Sequence, residues 1–220
     1  MSFWMNNMKN QLLKQYKRAP VTSVLIALCV VIYVISFLLY GEEMNVYEGM
    51  AFGGYNPVFV QLNHEYYRLI TANFIHFGII HIAVNCYSLY GIGMFIESSL
   101  KPKKYCIVLF ISALATTGLP YLLYLINGFE ANTVSGGISG VIFGLIGALG
   151  ALALKYRDIF LDVFRQLAPN LLLMLFISVV VPSISLSGHV AGMIGGFIAT
   201  YIILHIHTYK KKSKYSDLVN

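Results

Sequence analysis

The sequence predicts an all-α polytopic membrane protein, a bundle of six transmembrane helices with both termini cytoplasmic. Three observations lead there. The 220 residues are 58% apolar and 11% charged, whereas soluble domains carry about a quarter of their residues as charges. Six windows, roughly 21–40, 78–97, 105–127, 135–155, 167–186 and 185–207, reach or approach the ~20 apolar residues that cross a bilayer core. The basic residues fall almost entirely on one side of those windows. Helices are the assignment because backbone groups in lipid must be satisfied within their own segment.

In chain order, residues 1–20 form a basic cytoplasmic segment with Lys9, Lys14, Lys17 and Arg18. The apolar run behind it lacks a small-residue cleavage pattern and reads as an anchor rather than a removable signal. The connection 41–77 is external. It mixes Gly41, Gly53-Gly54 and Asn56-Pro57 with Tyr47, Phe52, Tyr55, Phe59, Tyr66 and Tyr67, and aromatics at this density favour the outer interface. Lys101, Lys103 and Lys104 separate spans two and three; Lys155, Arg157 and Arg165 separate spans four and five. Lys210, Lys211, Lys212 and Lys214 follow span six in a basic cytoplasmic tail, 208–220. Arg68 is the one basic residue of 15 on the other face, and basic loops stay cytoplasmic. The membrane domain is therefore 21–207, and the net charge of +6 reads as topology and contact with anionic lipid, not as a nucleic-acid footprint. The fifth window is the weakest, with Pro169, Asn170 and Pro182 near its ends and a clean apolar run only from Leu171 to Val181. Cys29, Cys86 and Cys106 lack paired spacing and read as small apolar fillers.

This topology places polar residues of three spans at one depth. His81, Ser139 and His189 stand about four or five residues into spans two, four and six, which is about 6–8 Å below the outer surface at the helical rise. Glycines mark the faces that meet: Gly136, Gly140, Gly144 and Gly147 on span four, Gly188, Gly192, Gly195 and Gly196 on span six. Small residues four apart let membrane helices approach backbone to backbone. His189, Gly192 and Gly196 share one stripe, so the imidazole points along the close contact. A lone intramembrane serine often bonds back to its own helix. A serine and a histidine at equal depth on facing glycine stripes instead make a nucleophile and its base, in a peptide-hydrolysing site. Acids are absent from the spans around His189; Glu97 lies at the cytoplasmic end of span two. A Ser–His dyad is therefore expected rather than a triad. His81 and Asn85, four apart on span two, are candidate oxyanion donors with the Ser139 N–H, or else interhelical hydrogen-bond partners. His76 and Ser88 are candidate linings of a polar cavity that admits water.

A metal site is not expected. His64-Glu65 is followed by Tyr66, Tyr67 and Arg68, so the HExxH zinc pattern is missing. His205 and His207 read as interfacial polar residues at the inner end of span six. No cofactor is expected.

These residues resemble the rhomboid intramembrane serine proteases over almost the whole chain. Gly137-Ile138-Ser139-Gly140 is similar to that family's GxSG motif, and His189 with Gly192 and Gly196 to its HxxGxxxG helix. His81-Ile82-Ala83-Val84-Asn85 is similar to its HxxxN motif; Glu65-Tyr66-Tyr67-Arg68 resembles its ExWR loop motif with tyrosine for tryptophan. The resemblance implies a six-helix rhomboid-like bundle with Ser139 as nucleophile and His189 as base. It also implies His81, Asn85 and the Ser139 N–H as oxyanion donors, and Phe143 stacked on the histidine. Glu65 and Arg68 become structural residues of the first external loop, and a fifth helix or loop cap moves to admit substrate. The implied activity is endopeptidase cleavage of single-span membrane proteins near the outer end of their helices. The protein is expected as a monomer in the lipid bilayer of a bacterial plasma membrane, with its site towards the external face. The alternatives are a catalytically inactive rhomboid-like binder of membrane clients, which would use the same cavity, and a small transporter.

Overall fold

The computed structural model describes residues 18–180 and 185–216, with side chains for 18–169, 171–172 and 185–206. Residues 1–17 of the expected basic segment, Val181 and Pro182 of the fifth window, and 217–220 of the tail lie outside the described residues. Within them the chain is helical, apart from turns and one isolated antiparallel bridge between Tyr55 and Ser135.

Helix α1, Pro20–Tyr40, starts with proline at its first position, where the missing N–H has no intrahelical acceptor to lose. The next two amides are satisfied from another helix. Val21 N and Thr22 N donate to the Glu97 carboxylate at 3.0 and 2.8 Å, and Thr22 Oγ1 donates to it at 2.8 Å. The Tyr105 hydroxyl lies 3.0 Å from the same Thr22 oxygen. Glu97 is thus a buried cap supplied in trans, at the helix end where negative charge is favoured. Removing it leaves buried amides without an acceptor. Glu97→Ala is expected to lower stability by about 3 kcal/mol, measured by denaturant unfolding in detergent micelles; an unchanged unfolding midpoint would refute the capping role.

The expected external loop contains three short helices. Helix α2, Val46–Ala51, opens on an Asn45–Glu48 capping box; α3, Pro57–Leu62, is capped by Asn56; α4, Arg68–Thr71, runs into a 3-10 turn, Ala72–Phe74. Arg68 organises them. Its buried Nη1 donates to the Met50 and Gly54 carbonyls, both at 2.7 Å, and its Nε donates to the Glu65 carboxylate. The guanidinium lies 5.3 Å from the Phe59 ring and 5.6 Å from the Tyr67 ring, so the tyrosine supplies an aromatic face beside the cation. The hydrogen bond from Arg68 holds Glu65 below the usual carboxylate range. Stability from this pair is therefore present above that range and lost only as pH falls through the lowered value.

The second span is built from α5, Ile79–Ser88, a π-helical turn, Leu89–Gly93, and α6, Met94–Leu100. Helices α7, Pro102–Asn127, α8, Ser139–Lys155, α9, Arg157–Val180, and α10, Leu186–Ser216, complete the described chain. Among the described residues, four helical stretches are long and apolar enough to cross a membrane: Pro20–Tyr40, Ile79–Leu100, Pro102–Asn127 and Leu186–Ile206. Three windows differ from expectation. Helix α8 begins at Ser139 instead of near 135, leaving 17 helical residues. Helix α9 begins at Arg157, ten residues before its expected window, and continues through Pro169. Helix α10 also outruns its apolar window by continuing to Ser216.

Helix α8 is the centre of the bundle. All but four of its 17 residues are buried, so it reads as apolar all round because other helices surround it. Its glycines explain how they come so close. A Cβ on Gly196 would collide with the Gly144 carbonyl, one on Gly147 with the Met193 carbonyl, and one on Gly192 with the Gly140 carbonyl. Cβ atoms on Gly140 and Gly144 would strike the Thr116 and Ser112 side chains of α7, and the one on Gly144 would also lie 3.0 Å from the Gly192 carbonyl. Helix α10 therefore clasps α8 at backbone distance while the Ser112 and Thr116 side chains of α7 pack onto α8 glycines, the packing that small residues permit where water exclusion drives nothing. Outer surfaces are apolar: Leu38, Leu39, Ile80 and Ile126 are exposed, a pattern suited to lipid contact. Cys29 is buried and Cys106 exposed, and neither is paired; Cys106 therefore does not fill the interior as expected.

Candidate active site

The α8–α10 clasp ends at two facing side chains. Ser139 is the first residue of α8 and His189 the fourth of α10, so the serine opens its helix instead of standing about five residues into it, while the histidine stands close to the expected depth. Ser139 Oγ lies 2.8 Å from His189 Nε2, within the range of a hydroxyl–imidazole hydrogen bond. His189 is buried, and its ring stacks on Phe143 with centroids 4.3 Å apart and planes 16° from parallel. Phe143 is one turn after Ser139, so the helix that carries the hydroxyl also fixes the plane of the imidazole. Gly192, one turn after His189, keeps the backbones close at that level.

The chain reaches Ser139 through an extended approach rather than a helical one. Ser135 exchanges both backbone hydrogen bonds with Tyr55 at 2.7 and 2.9 Å, and Gly137 N donates to Ala72 O at 2.9 Å. Gly137 has φ +114°, which side-chain-bearing residues rarely adopt. A second reason for glycine is spatial. A Cβ there would lie 2.7 Å from His81 Nε2 and 3.5 Å from Asn85 Nδ2, so two side-chain nitrogens converge on the space beside the serine. Phe77 N is 3.5 Å from His81 Nδ1, an arrangement in which Nδ1 accepts and Nε2 carries the proton. Asn85 is buried and its Nδ2 has no hydrogen-bond partner, an uncompensated donor of the kind that costs free energy unless something else fills it. The Ser139 amide, at the start of α8, belongs to the first-turn N–H groups that have no intrahelical acceptor and carries the positive end of the helix dipole.

A cavity of about 50 Å³ opens here, room for more than one water. Ser139, His189 and His81 line it together with Asn73, Thr116 and Ser185. Two expected lining residues are elsewhere. His76 is packed edge-on against His81 with ring centroids 5.1 Å apart, its Nδ1 3.1 Å from the Phe74 carbonyl, and it does not line the cavity. Burial, reinforced by His81, pushes its imidazole down to about 3. Ser88 lies two turns beyond His81 at the foot of α5 and is likewise not part of the lining. In their place stand Asn73, Thr116 and Ser185. They come from the 3-10 turn, from the middle of α7 and from the residue before α10, so no linear motif unites them. Their polarity within or beside apolar windows was the available signal. Glu65 and Arg68 are in the loop frame and do not line the cavity. Gly188 is held closely: a Cβ on it would lie 3.0 Å from Ser185 Oγ and 3.1 Å from Thr116 O. Among the described residues, no group of three His, Cys, Asp or Glu side chains is placed to hold a metal.

Comparison with known proteins gives the same constellation a family. Residues 63–206 match the Rhomboid domain. The chain is 30% identical over 159 residues to rhomboid protease GluP of Bacillus subtilis (strain 168), covering 68% of this chain and 28% of that protein. It is 30% identical over 118 residues to inactive RHOMBOID-like protein 8 of Arabidopsis thaliana, 53% of this chain and 31% of that one. With rhomboid protease GlpG of Salmonella typhi the identity is 29% over 135 residues, 60% and 43% of the two chains. The chain thus spans less than half the length of each of these curated relatives. The matched region holds every element from α4 to the apolar part of α10 and the paired Ser139 and His189. With its apolar helices, the chain is an integral membrane protein that belongs to the rhomboid family.

Proposed function

We propose that this protein is an intramembrane serine endopeptidase working through a Ser139–His189 dyad. The observation that carries the reading is the 2.8 Å contact between Ser139 Oγ and His189 Nε2 beside a water-sized polar cavity. His189 takes the hydroxyl proton as Ser139 Oγ attacks the scissile carbonyl, and the proton passes to the leaving amine. The negative oxygen that forms is held by His81 Nε2–H, Asn85 Nδ2–H and the Ser139 N–H. Water from the cavity then gives its proton to His189, attacks the acyl ester and frees Ser139. Asn85→Ala removes one donor of three, so kcat is expected to fall about 10²-fold without vanishing, read by a fluorogenic peptide assay in detergent; full activity would remove Asn85 from the oxyanion site.

The substrates are single-span membrane proteins whose helix unwinds near its outer end, because a helical peptide bond has its carbonyl hydrogen-bonded and shielded. A small residue before the cut fits best. Six spans with both termini cytoplasmic put the site towards the external face of a plasma membrane, with the protein acting as a monomer. Support comes from the charge asymmetry of the loops and from the likeness to proteins named rhomboid protease. The likeness to a protein named inactive favours a second reading, a client binder without turnover. Incubating the purified protein with a single-span substrate, and with a fluorophosphonate probe, separates the two. Cleavage with probe attached to Ser139 is expected; binding of substrate with neither cleavage nor labelling would establish the binder.

A further inference from the structure

The connection between α7 and α8 carries an acid that the proposed chemistry does not use. Glu130 has φ +58°, a conformation that strains a residue with a Cβ and suits glycine. The surrounding chain holds it there. Its carbonyl accepts from Thr133 N at 3.0 Å and Thr133 Oγ1 at 2.8 Å. Asn56 Nδ2 ties down the neighbouring Ala131 and Thr133 carbonyls at 3.2 and 2.8 Å. From this fixed turn the carboxylate reaches the start of α10, with Oε1 2.6 Å from Ser187 Oγ. Ser187 Oγ is 3.1 Å from Ser185 Oγ, which is 3.0 Å from Gly188 N. The Ser185 carbonyl accepts from His189 N at 3.1 Å.

Proton counting gives this chain one direction. An ionised carboxylate only accepts, so the Ser187 O–H points at Glu130. Ser187 Oγ then has only a lone pair for Ser185, whose O–H must point at it, and the Ser185 oxygen accepts the Gly188 N–H. Each bond polarises the next, and the whole ends on the backbone of the residue before His189. The charge also sits at the positive end of a long helix.

We propose that Glu130, acting through Ser187 and Ser185, is a positioning residue for His189. It sets the first turn of α10, and with it the height and rotation of the imidazole facing Ser139. The same connection leads into Gly137 and Ser139, so one carboxylate holds the approaches to both side chains in register. This inference rests on reading those two as base and nucleophile.

Glu130→Gly provides the test, because it relieves the backbone while removing the carboxylate. Loss of a charged hydrogen bond predicts that kcat and the rate of fluorophosphonate labelling fall about tenfold. KM and the melting temperature are expected to stay at the wild-type values. Glu130→Gln, whose amide oxygen accepts the same hydroxyl, recovers most of the lost rate. Ser187→Ala slows the enzyme to a similar degree, and Glu130→Gly with Ser187→Ala is no slower than either alone. Wild-type kcat and labelling in Glu130→Gly would overturn the proposal, as would additive losses in the double variant or a fall in rate that only tracks lost thermal stability. A wild-type protein that neither cleaves nor labels would instead overturn the dyad reading itself.

Discussion

Ser139→Ala leaves the protein folded and inserted but silent, with cleavage of a single-span substrate lowered by at least about 10³-fold. The expectation follows from Ser139 being a cavity hydroxyl with an imidazole at hydrogen-bond distance. Thr116 Oγ1 donates to the Ser112 carbonyl of its own helix at 2.8 Å, and the Ser185 hydroxyl is engaged with Ser187 and Gly188. Neither has an imidazole at hydrogen-bond distance. Losing the alcohol removes one atom from a residue that lines the cavity, so melting temperature should change little. His189→Ala is expected to lose as much activity, and the double variant no more than either single one, because nucleophile and base act as a unit. It differs in stability: His189 stacks on Phe143 at 4.3 Å, and deleting a buried ring leaves a void, for which about 2–4 kcal/mol is expected. Substrate cleavage by Ser139→Ala at the wild-type rate would end the serine-protease reading.

The placement of these two side chains was legible in the sequence for a physical reason. Glycine at i, i+4 on two apolar segments has few uses other than close helix contact, and the contact fixes what lies beside it. What hydropathy misread was where helices start. Residues 134–138 are apolar or small enough to extend the fourth window, yet pairing of Ser135 with Tyr55 and of Gly137 with Ala72 draws them into an extended path, and Ser139 becomes a first-turn residue. The error at α9 has the opposite sign. Arg157, Asp158, Asp162 and Arg165 are polar, and a window scoring apolarity omits them, but a helix can begin with charged residues exposed outside the lipid. Glu97 was visible only as an acid near a span end. Its task as a cap for α1 depends on a first-turn residue, Thr22, that lies 75 residues earlier, a relation without local signature. The Glu130–Ser187 contact is of the same kind, formed between a connection and a helix start 57 residues apart.

Gly192→Ala is expected to lower activity about 10²-fold, although it adds one methyl group and touches no reacting atom. That methyl would collide with the Gly140 carbonyl and lie 2.7 Å from Thr116 Oγ1. The threonine can rotate away; the carbonyl belongs to α8 backbone and cannot. Helices α8 and α10 must therefore part by about 1 Å to restore ordinary contact distance. Ser139 precedes Gly140 directly, and His189 lies one turn before Gly192, so the separation opens where the two side chains meet. A hydrogen bond now at 2.8 Å would stretch beyond useful length, and a misplacement of about 1 Å is enough to lower kcat about 10²-fold. Overpacking should lower stability as well, by about 1–3 kcal/mol. Gly150→Ala is the matched control. It lies on the same helix α8, but its nearest neighbours would be Phe164 Cε2 at 3.6 Å and Phe197 Cδ2 at 3.7 Å, ordinary contact distances. There the methyl should be accommodated, with the better helix propensity of alanine worth up to about 1 kcal/mol. Kinetics and unfolding of the two variants in the same detergent distinguish them: Gly192→Ala slow and unstable, Gly150→Ala unchanged or slightly stabilised. Equal behaviour of the two would mean that close approach of α8 and α10 does not hold the serine against the histidine.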